Sequence, residues 1–155
     1  SNAQKFRFVS LGDGYYYILT GASGYKSCLD VDSGSASDGT NILQWEYWGG
    51  EMQKYRIVQQ PDGTYAILTK ASGCSSGLDV YDWSSEAGGN INEWNYWGGE
   101  CQKWNLVEAE KNSGSTTSAG QDIMIRTAPA DMGYGHRILF IILPMYGMME
   151  VKVHT

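Results

Sequence analysis

The sequence predicts an all-β fold assembled from a four-stranded unit of about 49 residues, and three observations carry that prediction. The run Asn41-Ile42-Leu43-Gln44-Trp45-Glu46-Tyr47-Trp48-Gly49-Gly50-Glu51 returns 49 residues later as Asn90-Ile91-Asn92-Glu93-Trp94-Asn95-Tyr96-Trp97-Gly98-Gly99-Glu100. Ile18-Leu19-Thr20 and Leu29-Asp30-Val31 keep the same offset to Ile67-Leu68-Thr69 and Leu78-Asp79-Val80. A Gln-Lys-aromatic step falls three times on that ruler, as Gln4-Lys5-Phe6, Gln53-Lys54-Tyr55 and Gln102-Lys103-Trp104. A fixed period of this length means one supersecondary unit used repeatedly, each closing its core against its neighbours. Composition agrees: 20 Gly against 3 Pro, with 6 Trp and 11 Tyr, suits short strands joined by tight turns.

Taken in order, the first unit reads as strands over 5–11, 15–20, 27–32 and 41–48, and the second as strands over 54–60, 65–69, 77–81 and 90–97. Gly12-Asp13-Gly14 and Pro61-Asp62-Gly63 are turn signals between the first two strands of each unit. Ser23-Gly24 and Ser72-Gly73 mark the next turn, and Gly34, Gly39, Gly88 and Gly89 bound the third connection. A further unit begins at 103–108, and there the ruler breaks. Ser1-Asn2-Ala3 reads as a tag-cleavage scar outside the fold. Residues 4–110 hold the repeats, and 111–120, rich in Ser, Thr and Gly, have the composition of a linker. Residues 121–155 form a divergent tail, with strand-like runs at 122–128, 137–144 and 148–154 that show no echo of the repeat. This tail either packs on the repeats or starts another domain. Its longest apolar run, 138–145, is too short to cross a bilayer.

The 155-residue chain is long enough to bury a core without disulfides, and its net charge is −6. No Lys/Arg cluster offers the cations that phosphate contacts need, which argues against a nucleic-acid partner. The same balance argues against an anionic membrane surface as partner. Cys28, Cys74 and Cys101 occupy no copied position, which excludes a framework disulfide repeated in each unit, and an odd count leaves a free thiol. No Cys-x-x-Cys or His cluster points to zinc. Asp30-Val31-Asp32-Ser33-Gly34 departs from a calcium loop, because Gly34 falls one position early and Tyr81 stands where Asp32 does in the second copy. The expected complement is therefore no metal and no cofactor.

Leu-Asp-Val, then Gly-x-Asn-Ile-x-x-Trp, then Gly-Gly-x-x-Gln-x-(Trp/Tyr) resembles the ricin B-chain type lectin repeat, closest in flavour to the family 13 carbohydrate-binding modules. The resemblance covers roughly residues 4–108, and its motifs fall in order twice. It implies a β-trefoil, in which three four-stranded units surround a pseudo-threefold axis, with six strands in a barrel and six in capping hairpins. It also implies a secreted, extracellular protein. The chain departs from the family in number: nine strands precede residue 109 where the family has twelve. An incomplete barrel would leave edge strands open. The expectation is that the divergent tail, or self-association with a second copy, fills the missing third.

A sugar offers hydroxyl edges and apolar C–H faces, so its site needs carboxylate or amide groups and an aromatic ring. By resemblance, Asp30 and Asp79 accept bonds from two adjacent hydroxyls, and Trp45 and Trp94, 15 residues later, stack on the ring. Gln53 and Gln102 match the glutamine that holds the aspartate or touches the ligand. Alternation puts Trp45 and Tyr47 on one face and Trp48 on the other, so each Trp-x-Tyr-Trp triplet is expected to give at least one aromatic to the core. Sequence leaves Trp45 and Trp94 as alternatives to Tyr47 and Tyr96 for the platform. Asp30 and Asp79 have a structural reading as turn-holders, and Gln53 and Gln102 one as partners of buried backbone groups. Phe6, Tyr55 and Trp104 read as core. The family's sugar-bonding Asn is replaced by Met52 and Cys101, for which Glu51 and Glu100 could substitute.

Three functions compete. The first is a non-catalytic module that binds a mono- or polysaccharide and tethers a hydrolase to xylan, arabinan or a galactose-containing polymer. The second is a glycoside hydrolase, which needs two carboxylates across one cleft. The carboxylates that repeat here lie in two different units, which argues against it. The third is a protein-binding trefoil, an inhibitor or assembly module, because one fold hosts many roles.

Overall fold

A computed structural model describes residues 4–86, 88–108 and 137–144, the last of these as backbone only. Ten strands are defined: β1 (Lys5–Ser10), β2 (Tyr16–Thr20), β3 (Ser27–Val31), β4 (Thr40–Glu46), β5 (Tyr55–Gln59), β6 (Tyr65–Thr69), β7 (Ser76–Val80), β8 (Ile91–Asn95), β9 (Trp104–Glu108) and β10 (Arg137–Pro144). Six of them close a ring of antiparallel pairs, β1–β2–β5–β6–β9–β10 and back to β1. The other four form the hairpins β3–β4 and β7–β8, which attach to β2 and β6 and join each other through β4 and β8. A six-stranded barrel capped by hairpins is the β-trefoil plan. Among the described residues two of its three caps are present.

The register repeats with the sequence. Tyr16 faces Tyr55 where β2 meets β5, and Tyr65 faces Trp104 where β6 meets β9. Phe140 faces Phe6 where β10 meets β1, so one aromatic pair recurs at each of the three junctions. Within hairpins, Phe6 pairs with Thr20, Tyr55 with Thr69 and Trp104 with Pro144. Phe140-Ile141-Ile142-Leu143-Pro144 thus takes the place of Tyr16-Tyr17-Ile18-Leu19-Thr20 and Tyr65-Ala66-Ile67-Leu68-Thr69. The expectation that the tail carries no echo of the repeat is corrected here. The echo is the aromatic-x-Ile-Leu step, displaced 26 residues beyond its place on the ruler by an insertion after β9. The strand-like runs at 122–128 and 148–154 and the linker at 111–120 lie outside the described residues.

Phe6, Tyr55 and Trp104 are buried at equivalent positions, as the accepted-aromatic pattern predicts. Phe8, Ile18, Ile57 and Ile67 join them from the barrel, and Leu29, Val31, Ile42, Leu78, Val80 and Ile91 come from the inner faces of the hairpins. Burying one such aliphatic or aromatic side chain contributes about 1.5–3 kcal/mol. The fourth strand of each unit ends earlier than the sequence suggests, at Glu46 and Asn95. Positive φ at Gly49 (83°) and Gly98 (79°) turns the chain off the sheet.

β10 bonds to an edge of β1 and an edge of β9, so deleting residues 109–155 leaves both edges open. At about 1 kcal/mol per ladder hydrogen bond, the expected loss is on the order of 5 kcal/mol. Chemical denaturation and light scattering should show a weaker fold whose mass rises with concentration. An unchanged melting curve with a monomeric mass would show that β10 adds nothing.

Candidate functional site

Cross-strand register decides what shares a face on each hairpin. In the first, Cys28 faces Trp45 and Asp30 faces Leu43, while Leu29 and Val31 face Gln44 and Ile42. The second set points to the core. Asp30 and Trp45 therefore stand together on the outer face as diagonal neighbours. The second hairpin repeats this: Asp79 faces Asn92 and Gly77 faces Trp94 on the outer side, with Leu78, Val80, Ile91 and Glu93 inward. The structure brings the carboxylate and indole of each lobe to one surface.

The aspartates are only 7 % and 6 % exposed, and each lies within a strand rather than a turn. Gln53 is fully buried beneath Asp30. Its Nε2 donates to Asp30 Oδ2 (2.9 Å) and to the Glu46 carbonyl (2.9 Å). Its Oε1 accepts from the Trp48 N–H (2.9 Å) and the Gly49 N–H (3.2 Å). Gln102 repeats the pattern, with Oε1 accepting from Trp97 (2.9 Å) and Gly98 (3.2 Å), and Nε2 donating to the Asn95 carbonyl (2.9 Å). It also bonds Asp79, whose Oδ2 takes a further contact from the Cys101 thiol at 3.5 Å. Both glutamines position the aspartate and the chain after β4 or β8 at once. Burial pushes the Asp30 carboxyl above its ordinary value, opposed by the Gln53 bond. Burial pushes Asp79 up to about 6, opposed by its bonds to Cys101 and Gln102.

Trp45 is 56 % exposed and Trp94 38 %, both on the aspartate face. Tyr47 stacks on Tyr17 with ring centroids 4.1 Å apart, and Tyr96 is half-buried with its hydroxyl lacking a partner. Trp48 and Trp97 are exposed. The expected core aromatic in each triplet is thus absent from the first, because the strand ends at Glu46 and alternation no longer applies. A methyl group built on Gly50 or Gly99 would overlap the benzo ring of Trp48 or Trp97, so the second glycine of each Gly-Gly step is what lets the indole lie against the backbone. Tyr25 is covered by the Arg7 guanidinium, 4.0 Å from its ring centre. Glu51 is held by Lys54 (2.9 Å) and Lys70 (2.8 Å), and Glu100 is exposed. All three cysteines are free thiols. No cluster of metal-ligating side chains occurs among the described residues.

The two lobes differ around the aspartate, and one of the differences, Asn92, is not picked out by the sequence reading. Asn92 shares the face of Asp79 and keeps a buried, unpartnered Oδ1, whereas its counterpart Leu43 is apolar. A polar residue in only one copy of an aligned position was the available signal. Trp83 stands where lobe 1 has Gly34, and Cys101 where it has Met52, whose Cε would come within 2.9 Å of a methyl group on Gly34. On the core side, buried Glu93 accepts from Thr69 Oγ1 where Gln44 accepts from Thr20 Oγ1 (2.8 Å). Its Oε2 has no partner, and burial pushes its carboxyl up.

A family model described as ricin-type β-trefoil lectin domain-like matches residues 2–94. ThreeFoil, a designed 3-fold symmetric protein, is 41 % identical, with a TM-score of 0.62 over 67 % of this chain and 71 % of that one. The exo-β-1,3-galactanase 1,3Gal43A from Clostridium thermocellum is 34 % identical, with a TM-score of 0.63 over 69 % of this chain. The match spans 22 % of the galactanase. The Polyporus squamosus lectin, solved with a sialylated epitope, shares the fold at 22 % identity, with a TM-score of 0.54 over 66 % of this chain and 36 % of that one. No curated protein matches the chain.

Two substitutions probe the lobe differences. Trp83 has φ +54°, a left-handed conformation that lobe 1 gives to Gly34 (φ +64°), so Trp83→Gly should stabilise the fold by about 1 kcal/mol in thermal melts. A lower melting temperature would show that Trp83 contributes packing. Because the folded-state pKa of Glu93 is raised, its contribution to stability is fully present below the unfolded value and is lost as pH rises through the folded one. Glu93→Gln should therefore flatten the decline in stability above pH 4.5 and gain about 1 kcal/mol at pH 7. An unchanged slope would show that this carboxyl does not titrate with folding.

Proposed function

Given that the chain belongs to the ricin-type β-trefoil lectin domain-like family, we propose that it is a non-catalytic carbohydrate-binding module that tethers a secreted glycoside hydrolase to a plant polysaccharide. The observation that carries this reading is the pairing of an aspartate with an exposed indole on the outer face of both hairpins. The carboxylate accepts hydrogen bonds from neighbouring hydroxyls, and the indole stacks on the C–H face of the same ring. Gln53 and Gln102 hold the carboxylates before the sugar arrives, which lowers the ordering cost of binding. Asn92 adds an amide acceptor in lobe 2. The two aspartates sit in separate lobes, so neither serves as the opposing acid or base of the other.

The likeness to part of an exo-β-1,3-galactanase favours a galactose-containing polymer among the candidate ligands, with xylan and arabinan the alternatives. Shallow open sites of this kind supply about 4–6 kcal/mol each. Two sites on one module raise the avidity for a polymer through effective concentration.

Titration with β-1,3-galactan, xylan and arabinan fragments tests the reading. Trp45→Ala and Asp30→Asn should abolish binding at lobe 1, and Trp94→Ala and Asp79→Asn at lobe 2, each leaving the other lobe intact. A protonated Asp79 loses an acceptor, so affinity at lobe 2 should fall as pH drops through about 6. Folded variants that bind every fragment as the parent does would place the sugar elsewhere.

A further inference from the structure

Trp83 and Trp97 form an exposed aromatic pair that lobe 1 does not have. Their ring centroids lie 5.4 Å apart with the planes tilted by 42°, and each indole is more than half exposed. Trp97 is tied to the Asp79 carboxylate through Gln102. Its backbone N–H donates to Gln102, which also holds Asp79, and its benzo ring lies over Gly99. Trp83 stands at the end of the 3₁₀ turn Tyr81–Trp83 that directly follows β7, the strand of Asp79. In lobe 1, Trp48 is set on Gly50 and its backbone N–H donates to Gln53 in the same way, but Gly34 takes the place of Trp83 and offers no ring.

A bulky side chain held at positive φ is uncommon, and such strain collects at ligand clamps. Lobe 1 shows that the turn needs no side chain there, since glycine takes the same conformation. The ring at position 83 is therefore a feature of the surface rather than a requirement of the turn.

Resting on the carbohydrate-binding reading above, we propose that the Trp83–Trp97 pair is a second sugar subsite beside Asp79, so that lobe 2 grips two consecutive residues of a neutral oligosaccharide where lobe 1 grips one. One sugar sits at Asp79, Asn92 and Trp94, and its neighbour lies against the indole pair. The ligand is uncharged because the first sugar sits on the Asp79 carboxylate, Asp82 and Glu100 adjoin Trp83 and Gly99 in the chain, and Asp38 acts on Asp79 from the adjoining lobe, so a uronic or sialic acid would meet like charge. Aromatic stacking by the second residue is worth up to about tenfold in affinity.

The indole N–H signals of the protein, assigned by single substitutions, report each lobe separately during titration. The probes are galactose, β-1,3-galactobiose and β-1,3-galactotriose, with xylose, xylobiose and xylotriose in parallel. The expected result is that Trp94 responds to the monosaccharide, Trp83 and Trp97 respond from the disaccharide onward, and lobe 2 gains about tenfold from one sugar to two while lobe 1 gains less than about threefold. Trp83→Gly should remove that gain and leave the monosaccharide response of Trp94 as it was. If Trp94 responds along a series while Trp83 and Trp97 stay still and affinity stays flat, the second subsite is refuted and the carbohydrate reading stands. If neither Trp45 nor Trp94 responds to either series, both fall.

Discussion

Gln53 has no polar atom left for solvent: its nitrogen donates to the Asp30 carboxylate and a strand carbonyl, and its oxygen accepts two backbone N–H groups from the turn after β4. Gln102 repeats the three backbone bonds in lobe 2, where Asp79 is held by both Gln102 and the Cys101 thiol. Four bonds of about 1 kcal/mol each converge on one buried side chain, and cutting any of them would strand a buried polar group. That carboxamide fixes where the carboxylate points and where the following indole emerges. The outer face of each hairpin depends on it, while the barrel aromatics beneath keep it dry.

Much of this architecture is legible in the residues themselves. The 49-residue ruler gives the unit, the order of strands and the three core aromatics Phe6, Tyr55 and Trp104. The spacing from Asp30 to Trp45 and from Asp79 to Trp94 brings both pairs onto one face, because diagonal neighbours on a hairpin share a side. What the sequence hides are effects of register and chain direction. The final barrel strand escapes notice because an insertion moves Phe140–Pro144 off the ruler, though its aromatic-x-Ile-Leu step matches the earlier copies. The exposure of Trp48 and Trp97 follows from glycine turns that end the alternation early. Tyr17, which stacks on Tyr47, lies 30 residues away in sequence, and the repeat gives no sign of that contact.

The repeat also shows how near-identical frames diverge. Leu43 against Asn92, Gly34 against Trp83 and Met52 against Cys101 set the two aspartate surroundings apart, whereas the Gln–Asp pair and the Gly-Gly step are unchanged between lobes. The fold leaves the rim free to vary because the Gln–Asp bond and the aromatic core carry the geometry. Lobe 2 has the more polar floor and the broader aromatic rim, and lobe 1 the simpler cup. Under the proposed function, such asymmetry would let one small module hold two points of a polymer in different ways.

The most direct test of the central claim is a crystal structure of the protein soaked with β-1,3-galactobiose or xylobiose. The expected result is pyranose density on both hairpins, with hydroxyls bonded to Asp30 and Asp79 and ring faces against Trp45 and Trp94. Sugar bound away from both aspartates, with those indoles bare at saturating ligand, would contradict it.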